Sequence, residues 1–143
     1  MAERNFQIGI VQMSCTPEPE QNLERAIAHI RYVAAKGAEV VCLPELFQTQ
    51  YFCQREDIAL FDLAESIPGP TTARLGDLAR ELKITIVASL FERRAPGVYH
   101  NTAAVLSADG TLAGIYRKMH IPDDPLYYDC LLYTSDAATN REV

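Results

Sequence analysis

The stretch Val40-Val41-Cys42-Leu43-Pro44-Glu45 constrains the chain most. Four apolar residues in a row, without polar alternation, read as a parallel strand buried on both faces. Pro44 has no N–H to give a ladder, so pairing stops there and Glu45 falls just past the C-terminal end of the strand. In open α/β sheets that edge is where ligands bind. Upstream, Leu23, Ala26, Ile27, Ile30, Val33 and Ala34 recur at spacings of three and four, which predicts an amphipathic helix from about 22 to the Lys36-Gly37 stop signal. Earlier still, residues 6–13 (FQIGIVQM) read as a first strand, and the two prolines near Cys15 as a turn or a first helical turn. Strand, helix, strand of these lengths is a βαβ crossover, right-handed by strong default.

The remainder continues in α/β fashion. Residues 48–65 have poor periodicity and read as a loop with a short helical piece, in which Tyr51, Phe52, Phe61 and Leu63 must still be packed. A long segment in that place can carry substrate contacts or simply cover the core. Ile67-Pro68-Gly69-Pro70 punctuates the chain, and a second amphipathic helix follows over 71–83. Residues 84–91 form a clear strand, 93–97 a turn, 99–106 a strand carrying Asn101, 107–110 a hairpin turn and 112–117 its return, with Lys118 at the end. The expected class is α/β with some antiparallel pairing.

Composition removes several function classes. A net charge of -6 argues against a nucleic-acid or anionic-membrane partner. No apolar run approaches the ~18 residues of a membrane span, and the first residues do not resemble a signal peptide, so a cytoplasmic location is expected. The 4 cysteines (Cys15, Cys42, Cys53, Cys130) have no CxxC spacing, which disfavours a disulfide framework or a zinc site. No phosphate-cradling glycine motif follows the first strand, which ranks a nucleotide-binding domain last.

Glu45 and Lys118 stand out as a carboxylate and an ammonium, each at the end of a predicted strand. From the residues alone, two readings stay open. One is a structural ion pair; the other is a general base beside a cation that stabilises an oxyanion.

A family resemblance adds to this. Residues 40–47 (VVCLPELF) resemble the glutamate motif of the carbon–nitrogen hydrolase (nitrilase) superfamily, and residues 116–122 (YRKMHIP) resemble its lysine motif. Asn101-Thr102-Ala103 is similar to the strand between them, and residues 8–13 and 35–39 fit as well. The likeness runs from about Phe6 to Tyr128. Within the superfamily, residues 47–54 and 120–125 are most similar to the N-carbamoylputrescine amidase subfamily. The resemblance implies an α-β-β-α sandwich, paired with a second subunit as a homo-oligomer. It implies a Glu-Lys-Cys hydrolase of a small ureido or amide substrate, with no metal and no organic cofactor. Glu45 would be the base and proton shuttle, and Lys118 would stabilise the oxyanion. Asp123 and Asp124, close after the lysine motif, could hold the distal ammonium of a diamine substrate or merely shape a turn.

The departures from the family pattern matter too. Its nucleophilic cysteine comes a few dozen residues after the lysine, so the nucleophile is expected to be absent from this chain. Cys130 lies a dozen positions after Lys118 and is not expected to serve. Cys15, Cys42 and Cys53 read as packing or loop residues. Asp129 falls where relatives carry a second glutamate. Residues 132–138 (LYTSDAA) resemble translated adaptor sequence, which divides the chain into an N-terminal hydrolase part, 1–129, and a non-native tail, 130–143. The alternatives are a superfamily member acting on β-ureido acids, simple amides or nitriles, and a non-catalytic module on the same scaffold.

Overall fold

A computed structural model of the chain describes residues 5–52 and 57–120. Cys53, Asp123, Asp124, Asp129, Cys130 and the proposed tail lie outside the described residues. The elements run β1 (Ile8–Ile10), α1 (Pro19–Ala35), β2 (Val40–Cys42), a 3-10 helix (Ile58–Leu63), α2 (Pro70–Leu82), β3 (Thr85–Ala95), β4 (Val98–Leu106) and β5 (Leu112–Arg117).

All five strands form one sheet in the order β1-β2-β3-β4-β5. β1, β2 and β3 are parallel; β4 and β5 then fold back antiparallel as a meander. The two crossovers step the same way across the sheet, so a single handedness puts α1 and α2 on the same face. Leu23, Ala26 and Ile30 of α1 join Leu75, Leu78 and Ala79 of α2 over Val41, Ile86, Ala88, Leu90, Ala104 and Leu106 in one core. The paired residues Val41 and Ile86, and Ala88 and Ala104, share this face because side chains alternate along a strand.

Local chemistry explains the element ends. Pro19 opens α1 at a position where a missing N–H costs nothing. At the start of α2 the Gly69 N–H donates to the Thr72 hydroxyl at 2.8 Å, and Lys83 closes the helix in the left-handed region at φ 55°. Gly9 lets β1 approach α1, since a Cβ there would lie 2.9 Å from Val33. The turn expected at 107–110 is present, with the Gly110 N–H donating to the Ser107 carbonyl at 2.7 Å and Gly110 at φ +85°.

Three expectations are corrected. β2 is buried on one face only: Val41 is fully buried while Val40 and Cys42 are half-buried, because on the other side of the sheet the described residues cover only the Phe91 and Tyr99 end of β3 and β4, with the aromatic cluster of the 48–65 loop. They form one helix layer on one sheet, half of the four-layer arrangement. Arg93 and Arg94 are not in a turn but in β3, which runs on to Ala95 because its ladder to β4 continues through Arg93–Tyr99 and, past a bulge, Ala95–Val98; Glu65 also bridges Glu92 from the other side, its N–H donating to the Phe91 carbonyl (3.1 Å) and the Arg93 N–H donating to its carbonyl (2.8 Å). The first strand shrinks from the expected 6–13 to Ile8–Ile10, although the Val11 N–H still bonds the Cys42 carbonyl at 2.9 Å.

The aromatic residues of the 48–65 loop find their place in a second cluster around Phe91, with Leu46, Ala64 and Tyr99. Phe52 lies 4.8 Å from Phe91 between ring centroids, and Phe61 4.4 Å from Tyr99.

Candidate active site

The sheet topology decides which residues can meet. β5 is antiparallel to β4, which is antiparallel to β3, so β5 runs in the direction of β2. The C-terminal ends of β2 and β5 therefore lie on one edge of the sheet. Glu45 leaves the first and Lys118 leaves the second. β2 and β5 are three strand spacings apart, roughly 14 Å. Their side chains nevertheless meet, with Lys118 Nζ 2.9 Å from Glu45 Oε1. The Lys118 N–H still pairs with the Asn101 carbonyl at 2.8 Å, so the lysine leaves the sheet only at its side chain.

Glu45 is held by the two residues that follow it. Leu46, at φ 49°, inserts into the aromatic cluster, and Phe47, fully buried, inserts into the main core. The turn is tied further by Asn22, which is also fully buried. Its amide donates to the Thr16 carbonyl at 2.6 Å and to the Gln48 carbonyl at 2.9 Å, and its oxygen accepts from the Thr16 N–H at 2.9 Å. Gln48 in turn donates to Glu65 (3.0 Å) and Thr71 (2.7 Å). None of these polar anchors was legible beforehand. Asn22 merely marked the start of a helical pattern, and its buried place depends on contacts far along the chain.

A second donor reaches the same carboxylate oxygen: Asn101 Nδ2 lies 2.6 Å from Glu45 Oε1. Burial pushes the Glu45 carboxyl up, but the hydrogen bonds from Lys118 and Asn101 and the Lys118 charge outweigh it. The net result is a carboxyl below its ordinary range, ionised at neutral pH. The side chains are 46% (Glu45) and 32% (Lys118) exposed, open enough to meet a small molecule from solvent.

Cys15 and Cys42 are both half-buried free thiols. The Cys15 thiol donates to the Phe47 carbonyl at 3.2 Å, and burial pushes it up against the pull of Arg25. A thiol so raised is a poor nucleophile, in keeping with a packing role. A cleft of about 810 Å³ opens beside the 48–65 loop, lined by Cys15, Thr49, Tyr51, Phe52, Leu60 and Leu63 among others. Glu45 and Lys118 are not among its lining residues.

A carboxylate and an ammonium converging at the open edge of an α/β sheet fit acyl-transfer chemistry, and comparison with known proteins gives the family. The sequence profile described as carbon-nitrogen hydrolase matches residues 7–140. The chain belongs to the carbon–nitrogen hydrolase family. It is 42% identical over 123 residues to an N-carbamoylputrescine amidase of Oryza sativa subsp. japonica, an alignment covering 85% of this chain and 40% of that protein. A citrullinase of Francisella tularensis is 34% identical, over 94% of this chain and 47% of the relative. The crystal structure of a carbon-nitrogen hydrolase from Helicobacter pylori superimposes with a TM-score of 0.83 at 37% identity, over 90% of this chain and 44% of that one. The chain thus spans under half the length of the relatives it matches.

Proposed function

We propose that Glu45 and Lys118 are the base and the oxyanion-stabilising cation of a hydrolase that cleaves a non-peptide C–N bond. The substrate is a small cationic ureido compound, N-carbamoylputrescine. The observation that carries this reading is the 2.9 Å contact between the two side chains at the shared edge of β2 and β5. The names of two relatives support the ureido group, since N-carbamoylputrescine and citrulline both end in one.

In this reading the nucleophile is a cysteine beyond the present sequence. Glu45 takes the thiol proton and the thiolate attacks the ureido carbonyl. Negative charge gathers on the carbonyl oxygen, where Lys118 stabilises it. The C–N bond to the terminal amino group breaks, and that nitrogen leaves as ammonia with the proton held by Glu45. The resulting N-alkylcarbamoyl thioester is then attacked by water, which Glu45 deprotonates. The thiol is released, and the carbamic acid falls apart into amine and carbon dioxide. One water is consumed, and putrescine, ammonia and carbon dioxide are formed. Asp123 and Asp124 bind the distal ammonium, and the enzyme works in the cytoplasm as a homo-oligomer, in polyamine formation. The proposed division between a hydrolase part, 1–129, and a foreign tail, 130–143, belongs to the same reading.

Ammonia release by the protein translated through the natural continuation of this gene tests the proposal. N-carbamoylputrescine is expected to be turned over far faster than a β-ureido acid, a simple amide or a nitrile. Asp124→Asn is expected to raise KM for the cationic substrate and not for a neutral ureido analogue. Preference for the β-ureido acid would replace the substrate; absence of turnover on all four classes would remove the enzyme reading. For the 143-residue chain itself no turnover is expected, and ammonia release abolished by Cys130→Ser would contradict the missing-nucleophile claim.

A further inference from the structure

Between the two ends of the ion pair lie β3 and β4, and each contributes one polar side chain. Ser89 and Asn101 both point to the sheet face away from the helices, since their neighbours Ala88, Leu90 and Thr102 are buried beneath it. The Leu46 N–H donates to Ser89 Oγ at 3.1 Å. The Ser89 hydroxyl donates to Asn101 Oδ1 at 3.2 Å. Asn101 Nδ2 donates to Glu45 Oε1 at 2.6 Å. Glu45 and Leu46 are consecutive, so the three bonds close a ring that starts and ends at the Glu45–Leu46 peptide.

We infer that Ser89 and Asn101 are positioning residues that lock the Glu45 side chain onto Lys118 through this ring, an inference that rests on the reading of Glu45 as the base. The direction of every bond in the ring is forced. A backbone N–H can only donate, so Ser89 accepts from Leu46 and its own proton turns outward. An ionised Glu45 can only accept, so the Asn101 NH₂ faces it and the amide oxygen faces Ser89, whose proton it takes. The amide NH₂ bonds the ionised carboxylate more strongly than the neutral acid, whose Oε1 still accepts when the proton sits on Oε2.

The ring has two consequences for Glu45. It holds the left-handed turn at Leu46, a conformation a leucine adopts at a cost, by giving its N–H a fixed partner. It also makes the two carboxylate oxygens unequal. Oε1 accepts from both Asn101 and Lys118. Among the described residues no donor reaches Oε2, which makes it the oxygen that takes and returns protons. A base must be held in place while its charge changes, and two donors on one oxygen achieve that without blocking the other.

Carbon-13 NMR of the side-chain carboxyls in the 143-residue chain tests this, with the Glu45 signal assigned by its loss in Glu45→Gln. The wild-type signal is expected to titrate below the ordinary glutamate range. Ser89→Ala touches no atom of Glu45, yet is expected to move its midpoint upward, as Asn101→Ala does. In the Asn101→Ala background the Ser89 substitution is expected to have no further effect, and Ser89→Thr is expected to restore the wild-type midpoint. A Ser89 that served packing alone would give equal shifts in both backgrounds, which would overturn the ring. So would a wild-type Glu45 titrating at the ordinary value. Because no turnover is involved, the two readings separate. A Ser89-dependent midpoint with an inert longer protein would remove the hydrolase and keep the ring; turnover without that dependence would do the reverse.

Discussion

Glu45 is pulled in two directions, and the balance is set by neighbours that can be removed one at a time. Burial is the largest single influence and favours the neutral acid; Lys118 and Asn101 together favour the carboxylate and win. Lys118→Met removes a hydrogen bond and a charge at once, so the Glu45 midpoint is expected to rise by more than in Asn101→Ala. A midpoint unmoved by Lys118→Met, read by the same carboxyl titration, would mean that the 2.9 Å contact does not persist in solution. In the longer protein the acid limb of kcat/KM is expected to follow Glu45 and lie below the usual carboxylate range, moving upward in Lys118→Met. Glu45 and Lys118 were legible in the sequence because each follows a strand end, a position that periodicity and a proline reveal. Ser89 was not. One hydroxyl in an apolar strand is common, and its partners sit 43 and 12 residues away in sequence.

At the scale of elements, β5 is the strand that most needs an anchor. It lies at the sheet edge, and its residues from Ala113 to Tyr116 are exposed. Beyond its ladder to β4, it is held by Arg117, whose guanidinium meets Glu92 of β3 with two contacts of 2.8 and 2.7 Å. Glu92 is 1% exposed and also accepts from the Thr102 hydroxyl at 2.6 Å. The clamp sits one residue before Lys118, on the opposite face of the sheet, so it fixes the register that delivers the lysine to Glu45. Removing one partner strands the other: Glu92→Gln is expected to cost ~3 kcal/mol in urea unfolding, the low end of the range for a buried pair because Arg117 reaches water. The double change Glu92→Met with Arg117→Met is expected to recover most of that, whereas equal losses in the single and double variants would contradict the clamp. Burial pushes Glu92 up, and Arg117, Thr102 and the His100 charge pull it down further. Its net value is depressed, so its contribution is present above the unfolded carboxylate value of about 4.3 and drains away as pH falls through the lower folded value. Tm is therefore expected to drop below about pH 4, less steeply in Glu92→Gln. The strands and helices were legible because their periods are local. The extension of β3 through Arg93 and Arg94 was not, since it depends on a bulge that lets the ladder to β4 continue to Ala95.

At the scale of the molecule, the described residues cover one face of the sheet with helices and the other only at the Phe91 end, with the aromatic cluster. Ile8 is 57% exposed and Ile10 78%, on the side away from α1 and α2. Apolar side chains exposed in this way favour association, so the isolated chain is expected to self-associate in a sedimentation concentration series, and Ile10→Lys is expected to shift it toward monomer. A wild-type chain that stays monomeric throughout would count against that. The sequence pattern showed that residues 40–43 are apolar on both faces, but the expectation of burial on both did not hold, because periodicity records which faces are apolar and not what they meet. The account stands or falls on Glu45 as the proton acceptor, and single-turnover ammonia release from N-carbamoylputrescine by the longer protein measures that most directly. Glu45→Gln keeps the shape and the hydrogen bond to Lys118 and removes the base. The rate is expected to fall by ~10²–10⁴ with the substrate still bound. A Glu45→Gln protein that releases ammonia at the wild-type rate would contradict it.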